Sequence, residues 1–221
     1  QSFRMKKERT VDLALLGFLV YFASYVTRIN YGAVISEIVF TEGIAKSSAS
    51  LAVTSSFITY GIGQLFSGYL GDKTNPKKLI FLGLLSSSLF NLLLPLCLSP
   101  LYTCAVWAIN GFSQSLIWPP LVKILAENLT AEKYKKACVT VSAASSIGTV
   151  AVYLFSPVII RIFSWKAVFF FSAITGIAVA VFWFLAAKPI AAPKKPEKQK
   201  EENQHSGDFG KIIAASGLIP I

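Results

Sequence analysis

An all-α membrane protein, built as a bundle of six transmembrane helices, is the fold class the sequence predicts, and three observations predict it. Of the 221 residues, 54% are hydrophobic and 14% charged, the reverse of a water-soluble domain's balance, and the mean hydropathy is +0.59. Six apolar runs, at 11–35, 51–71, 79–99, 101–125, 138–160 and 167–187, reach the length of about twenty residues that a helix needs to cross a bilayer. Apart from Arg28, the charges fall in the gaps between those runs or at the runs' edges, with a basic excess on alternate sides.

The first run places Tyr21, Tyr25 and Arg28 on one stripe, because helical side chains three or four apart share a face. In the second, Tyr60 and Gln64 share a stripe, whereas the third offers only the hydroxyls of Ser86 to Ser88 and Asn91. The fourth repeats Trp107, Asn110, Gln114 and Trp118, and the fifth repeats Ser142, Ser145, Thr149 and Tyr153. The sixth is almost wholly apolar, and Ser164-Trp165-Lys166 before it reads as an interfacial aromatic anchor with a flanking base. From Lys188 to Ser206 the composition turns to Lys, Pro, Glu and Gln, a solvated connector, and another apolar stretch begins near Phe209. The expected division is an N-terminal segment 1–10, a six-helix bundle 11–187, a charged linker 188–208 and the start of a seventh helix 209–221.

Counting Lys and Arg fixes an expected orientation, since basic loops stay on the cytoplasmic face. One side holds Arg4, Lys6, Lys7, Arg9, Lys73, Lys77, Lys78, Lys123, Lys133, Lys135, Lys136 and the lysines from Lys188 to Lys211; the other holds Lys46, Arg161 and Lys166. The N-terminus and linker are therefore expected in the cytoplasm, in a multi-pass protein of the plasma membrane. The formal charge of +10 is explained by these loops beside a lipid bilayer and not by nucleic acid. A single histidine, His205, and eleven acidic residues supply little for acid-base or metal chemistry. Cys97, Cys104 and Cys138 lack ligand spacing and read as small buried side chains. No enzyme, cofactor or metal site is expected.

Arg28 is the charge that the loops do not absorb. A guanidinium at membrane depth costs about 2.5–3.5 kcal/mol on insertion scales, so it faces a polar cavity or a partner, or it snorkels to the interface. Its stripe-mates favour a cavity that also takes in Gln64, Asn110 and Gln114, although such hydroxyls and amides also cement helix packing. Between the second and third runs, Gly68-Tyr69-Leu70-Gly71-Asp72-Lys73-Thr74-Asn75-Pro76-Lys77-Lys78 has its own logic. Gly68 permits close helix approach, Asp72 can cap or pair at the surface, and Asn75-Pro76 forces a turn.

That string resembles the loop signature of the major facilitator superfamily, Gly-x-x-x-Asp-Arg/Lys-x-x-x-Arg/Lys, matched by Gly68, Asp72, Lys73 and Lys77. Together with Tyr25-Val26-Thr27-Arg28-Ile29-Asn30 and the segment from Asn110-Gly111 to Trp118-Pro119-Pro120, it is similar to the organophosphate/inorganic phosphate antiporter branch. The resemblance implies a twelve-helix carrier of two six-helix bundles, each made of inverted three-helix repeats, with this chain as the N-terminal half. It implies a gating role for the Gly68 to Lys77 loop, binding of substrate phosphate by Arg28 with a second arginine from the missing C-terminal six-helix half, and a site lined by Tyr21 and Tyr25. Two positions depart from the branch: Gln64 stands where it has a lysine and Ser145 where it has a histidine.

The function so implied is secondary active transport of a small organic anion, a phosphate ester exchanged for inorganic phosphate. Substrate-binding candidates are Arg28, Tyr21, Tyr25, Gln64, Asn110, Gln114 and Ser145. Two other classes fit the same residues: a transporter-like receptor that senses a sugar phosphate, and a proton-coupled carrier of another organic anion.

Overall fold

The computed structural model describes residues 2–187, with side chains from Leu13 onward and excepting that of Asp72. The expected linker 188–208 and the start of a further helix at 209–221 lie outside the described residues. The helices are α1 (Ser2–Glu42), α2 (Lys46–Lys73), α3 (Pro76–Leu93), α4 (Pro100–Ser115), α5 (Trp118–Asn128), α6 (Ala131–Ile162) and α7 (Trp165–Ala186), with a 3-10 turn at Leu94–Leu96. No strand occurs among the described residues. Segment 1–10, expected as a separate terminus, is helical from Ser2, and α6 starts at Ala131 instead of 138. Four stretches are long and apolar enough to span a membrane: Leu13–Glu42, Pro76–Leu96, Ala131–Ile162 and Trp165–Ala186. The other two spans are α2, rich in Ser, Thr and Gly, and the pair α4 and α5.

That pair corrects the expectation of one helix over 101–125. A continuous helix would need the Pro119 and Pro120 nitrogens to donate to Ser115 and Leu116, and proline has no N–H. The chain instead tightens, Leu116 N donating to Ser113 O at 3.2 Å and Ile117 N to Gln114 O at 3.3 Å, and restarts with the prolines in its first turn. Elsewhere the ends follow local rules. Gly43, with φ of +65°, closes the turn after α1, and Asn75 Oδ1 accepts from Lys77 N at 3.0 Å with Pro76 opening α3.

Packing obeys an internal symmetry. The most extensive helix contacts join α1 to α6, α2 to α4, and α3 to α7, followed by α1 to α7 and α3 to α4. Counting α4 and α5 as the fourth span, exchanging spans one to three with spans four to six carries each of these pairs onto another or onto itself. Successive spans run in opposite directions, so the related triplets are inverted repeats. The two equivalent seams close on glycine: a Cβ on Gly148 would lie 3.0 Å from Tyr25 Cβ, and one on Gly111 would lie 2.2 Å from Ser56 O. Hydroxyls bridge the second seam, Ser55 Oγ donating to Cys104 O at 3.1 Å and Thr59 Oγ1 to Ala108 O at 2.6 Å.

The interior contains two apolar clusters. One gathers Leu16, Val20, Ile80, Leu84, Leu121 and Trp183, and the other Tyr31, Val34, Trp107, Trp165 and Phe169. Trp165 therefore differs from the expected interfacial anchor: it is 4% exposed, and its Nε1 donates to Glu42 Oε1 at 3.1 Å, tying the start of α7 to the end of α1. The three cysteines are free, and Cys97 is exposed instead of buried because it lies in the turn after the 3-10 segment.

Candidate functional site

Between the two apolar clusters α1, α3 and α4 exchange polar contacts instead of aliphatic ones. Asn91 Nδ2 donates to Thr27 O and Ser87 O, both at 2.9 Å, while its Oδ1 accepts from Asn30 Nδ2 at 2.6 Å. Ser87 Oγ donates to Asn110 Oδ1 at 2.6 Å, and Asn110 Nδ2 donates to Thr27 O at 3.3 Å. Gln114 Nε2 donates to Thr27 Oγ1 at 2.8 Å and Ser87 Oγ at 2.7 Å. Asn30, Ser87, Asn91 and Asn110 are fully buried. Inside a bilayer such groups must satisfy one another, and this layer does so.

Asn110 thereby corrects its expected place beside a water-filled cavity. Its stripe faces Thr27 and Ser87, which use both ends of its amide. Gln114 shares that layer through Nε2, yet its Oε1 is buried without a partner.

Arg28 leaves the same turn of α1 in another direction. Its guanidinium carbon lies 4.4 Å from the centre of the Tyr25 ring and 4.7 Å from that of Tyr60 on α2, within cation–π range. Because Tyr25 precedes it by three residues, the side chain turns back along α1, away from Glu37 and Glu42 at the far end of that helix. Arg28 forms no ion pair among the described residues, its Nε is buried without a partner, and no other charged side chain lies between the two apolar clusters. Gln64 Nε2 and Ser67 Oγ, one turn apart on α2, are likewise buried and unpartnered. Tyr21 meets Tyr25 edge-on at 5.2 Å and Trp118 at 4.7 Å, so the restart of the fourth span at Trp118 walls the site.

The structure thus brings Arg28, Tyr25, Tyr21 and α2 together. Ser145 is half-buried on α6, its Oγ donating to Ser142 O at 2.6 Å, one turn before the Gly148 that touches Tyr25. Sequence reasoning placed Tyr60 on the Gln64 stripe without assigning it to the site, and it missed the Thr27, Asn30, Ser87 and Asn91 layer. A separate groove between α1, α6 and α7, lined by Phe22, Val26, Phe155 and Phe171, contains no charge.

At the turn between α2 and α3, Lys123 Nζ of α5 donates to Gly71 O at 3.0 Å, Trp183 Nε1 of α7 donates to Lys77 O at 3.0 Å, and Lys73 Nζ bonds Tyr69 Oη. The side chain of Asp72 lies outside the described residues. Gly68 differs from expectation, for a Cβ there would meet nothing within 4 Å, so no close approach among the described residues requires it.

Two inverted three-span repeats around an arginine that has no ion pair among the described residues make one bundle of a polytopic membrane protein. The chain belongs to the Major Facilitator Superfamily, whose family model matches residues 17–219. It is 25% identical over 196 residues to a probable hexose phosphate transport protein of Chlamydia trachomatis, covering 85% of this chain and 42% of that protein. It is 27% identical over 168 residues to the glycerol-3-phosphate transporter of Bacillus subtilis, covering 74% and 38%. It is also 23% identical over 176 residues to the membrane sensor protein UhpC of Escherichia coli, covering 79% and 40%. The fold matches that of a bacterial homologue of the human lysosomal transporter Spinster, in its inward-facing unoccupied conformation, with a TM-score of 0.72 at 16% identity over 92% of this chain and 48% of the other. The chain thus spans less than half the length of these relatives, which are transporters and a sensor, not enzymes.

Proposed function

We propose that this chain is the N-terminal bundle of a secondary transporter that moves a phosphate ester in exchange for inorganic phosphate, with Arg28 binding the anionic group. The observation that carries the reading is the guanidinium held between Tyr25 and Tyr60 with no carboxylate to neutralise it among the described residues. A planar fork of donors in a low-dielectric site attracts a tetrahedral oxyanion through charge-assisted, bidentate hydrogen bonds. Tyr21 and Tyr25 wall the site, Gln64 replaces a cation with a neutral donor, and Ser145 sits at its edge. The missing C-terminal six-helix half completes the site, and binding draws the two bundles together on one side of the membrane and then the other. The loop from Gly68 through Asp72 and Lys73 to Lys77 gates that movement, with the N-terminus and linker in the cytoplasm.

Counterflow of labelled phosphate into proteoliposomes tests this on the complete transporter. Arg28→Ala is expected to lower exchange by at least about a hundredfold, and Arg28→Lys, which keeps the charge but not the fork, by at least about tenfold. Wild-type exchange by both variants overturns the reading. The likeness to UhpC favours one second reading, a sensor, in which phosphate esters bind at Arg28 but no labelled phosphate crosses. Uptake driven by a pH gradient and indifferent to internal phosphate would instead mark a proton-coupled anion carrier.

A further inference from the structure

The groove between α1, α6 and α7 follows from how those helices pack. α6 and α7 are neighbours in sequence, yet each packs far more extensively on α1 than on the other, so they splay and leave Phe22 and Val26 of α1 as a floor between them. The cavity so formed is about 200 Å³. It runs from Ile159 and Val168, near the turn between α6 and α7, down to Ala151 and Thr175, with Phe155 and Phe171 half-exposed along its mouth. Three hydroxyls interrupt its apolar lining, and they behave differently. Ser172 Oγ donates to Val168 O at 2.8 Å and Thr175 Oγ1 to Phe171 O at 2.9 Å, each returning its proton to its own helix. Ser156 is 2% exposed, lines the groove, and makes no side-chain hydrogen bond among the described residues. An unused donor is costly inside a bilayer, so this hydroxyl calls for an acceptor from outside the helix. It lies six residues, roughly 9 Å, before Ile162 at the end of α6, close beneath the layer where lipid ester carbonyls meet hydrocarbon.

We propose that this groove binds one acyl chain of a membrane glycerolipid, whose ester carbonyl accepts a hydrogen bond from Ser156 Oγ while its methylenes lie along Phe155, Phe171 and Phe22. The match is chemical as well as spatial. One free donor near the shallow end meets one acceptor, and the uncharged length below it, where the other hydroxyl protons are turned away, meets a hydrocarbon tail. No charge lines the groove, so the headgroup is not selected. The site is independent of the anion-binding reading, since Phe22 and Val26 stand roughly 100° around α1 from Tyr21 and Tyr25. A single neutral hydrogen bond favours an ester-linked lipid over an ether-linked one, which lacks the carbonyl, by about three- to tenfold.

The test uses the complete protein in mixed micelles with a trace of diester phosphatidylcholine that carries a diazirine in its acyl chain, and it maps the photolabel by peptide mass spectrometry. Label on the groove residues of α6 and α7 is expected to exceed that on Leu82 and Leu89, exposed apolar residues of α3. Unlabelled diester phosphatidylcholine is expected to displace it at about a three- to tenfold lower mole fraction than the diether lipid with the same chains, and diester phosphatidylglycerol to displace it as the phosphatidylcholine does. Ser156→Ala is expected to bring the ester-to-ether ratio to about one while the groove is still labelled. Ala151→Phe, which fills the deep end of the groove, is expected to remove the label, and it serves as the second variant should Ser156→Ala fail to fold. Because the ratio is read within one sample, the amount of folded protein does not enter it. Label no denser in the groove than on Leu82 and Leu89 would mean bulk lipid contact only, and no label there would mean that another part of the protein covers it. Either result overturns the inference, as does a wild-type ratio near one or a ratio unchanged in Ser156→Ala.

Discussion

Thr27 and Arg28 are neighbours in one turn of α1, yet they belong to regions of opposite character. On the Thr27 side, facing α3 and α4, the amides and hydroxyls of Asn30, Ser87, Asn91 and Asn110 are bonded to one another and shut away from solvent. On the Arg28 side, facing α2, Arg28 Nε and, one turn beyond Tyr60, Gln64 Nε2 are buried with no bonding partner among the described residues. Both regions are polar, and both lie between the two apolar clusters. The difference teaches that polarity within a bilayer serves two ends: groups that satisfy one another hold helices together, and groups left wanting are a place for something else.

Substitutions can break or sharpen that contrast. The largest effect on stability is expected from Asn91→Leu, which strips partners from Asn30 Nδ2, Thr27 O and Ser87 O and lowers the free energy of unfolding by about 2 kcal/mol. Denaturation of purified protein in mixed micelles would measure it, and phosphate affinity should hold. Equal loss of affinity would show that the two regions are one. Tyr60→Leu acts on the other side, removing one of the two rings beside Arg28. Cation–π contacts are worth about 0.5–2 kcal/mol, so phosphate binding should weaken by about two- to thirtyfold. The smallest effect belongs to Ser88→Ala. Ser88 is fully buried in the same layer, but its Oγ donates only to Leu84 O within its own helix, so stability should stay within about 0.5 kcal/mol of wild type in the same micelle assay.

Much of the architecture was legible beforehand, because six apolar runs and alternating basic loops are direct consequences of crossing a bilayer. Arg28 was legible for the same reason: a charge inside such a run stands out. Which way a polar stripe faces was not, since spacing groups Asn110 with Gln114 but cannot say whether water or Thr27 lies opposite. Asn91 and Ser87 looked like isolated packing residues until α1 and α4 were seen against them. The interruption at Leu116 and Ile117 was present in the text as Trp118-Pro119-Pro120, but hydropathy averages over a run and does not register a lost N–H. Trp165 was read from its place at the end of a span, where lipid-facing and core-facing indoles have the same sequence.

The two spans that the internal symmetry equates are mechanically unlike. α1 is an unbroken rod from Ser2 to Glu42, whereas its counterpart is jointed at Leu116 and Ile117, where two rungs of the backbone ladder are absent. Under the same lateral load the jointed leg yields first, so architecture that is even-handed in outline acquires a preferred direction of bending, at the level where Trp118 leans on Tyr21.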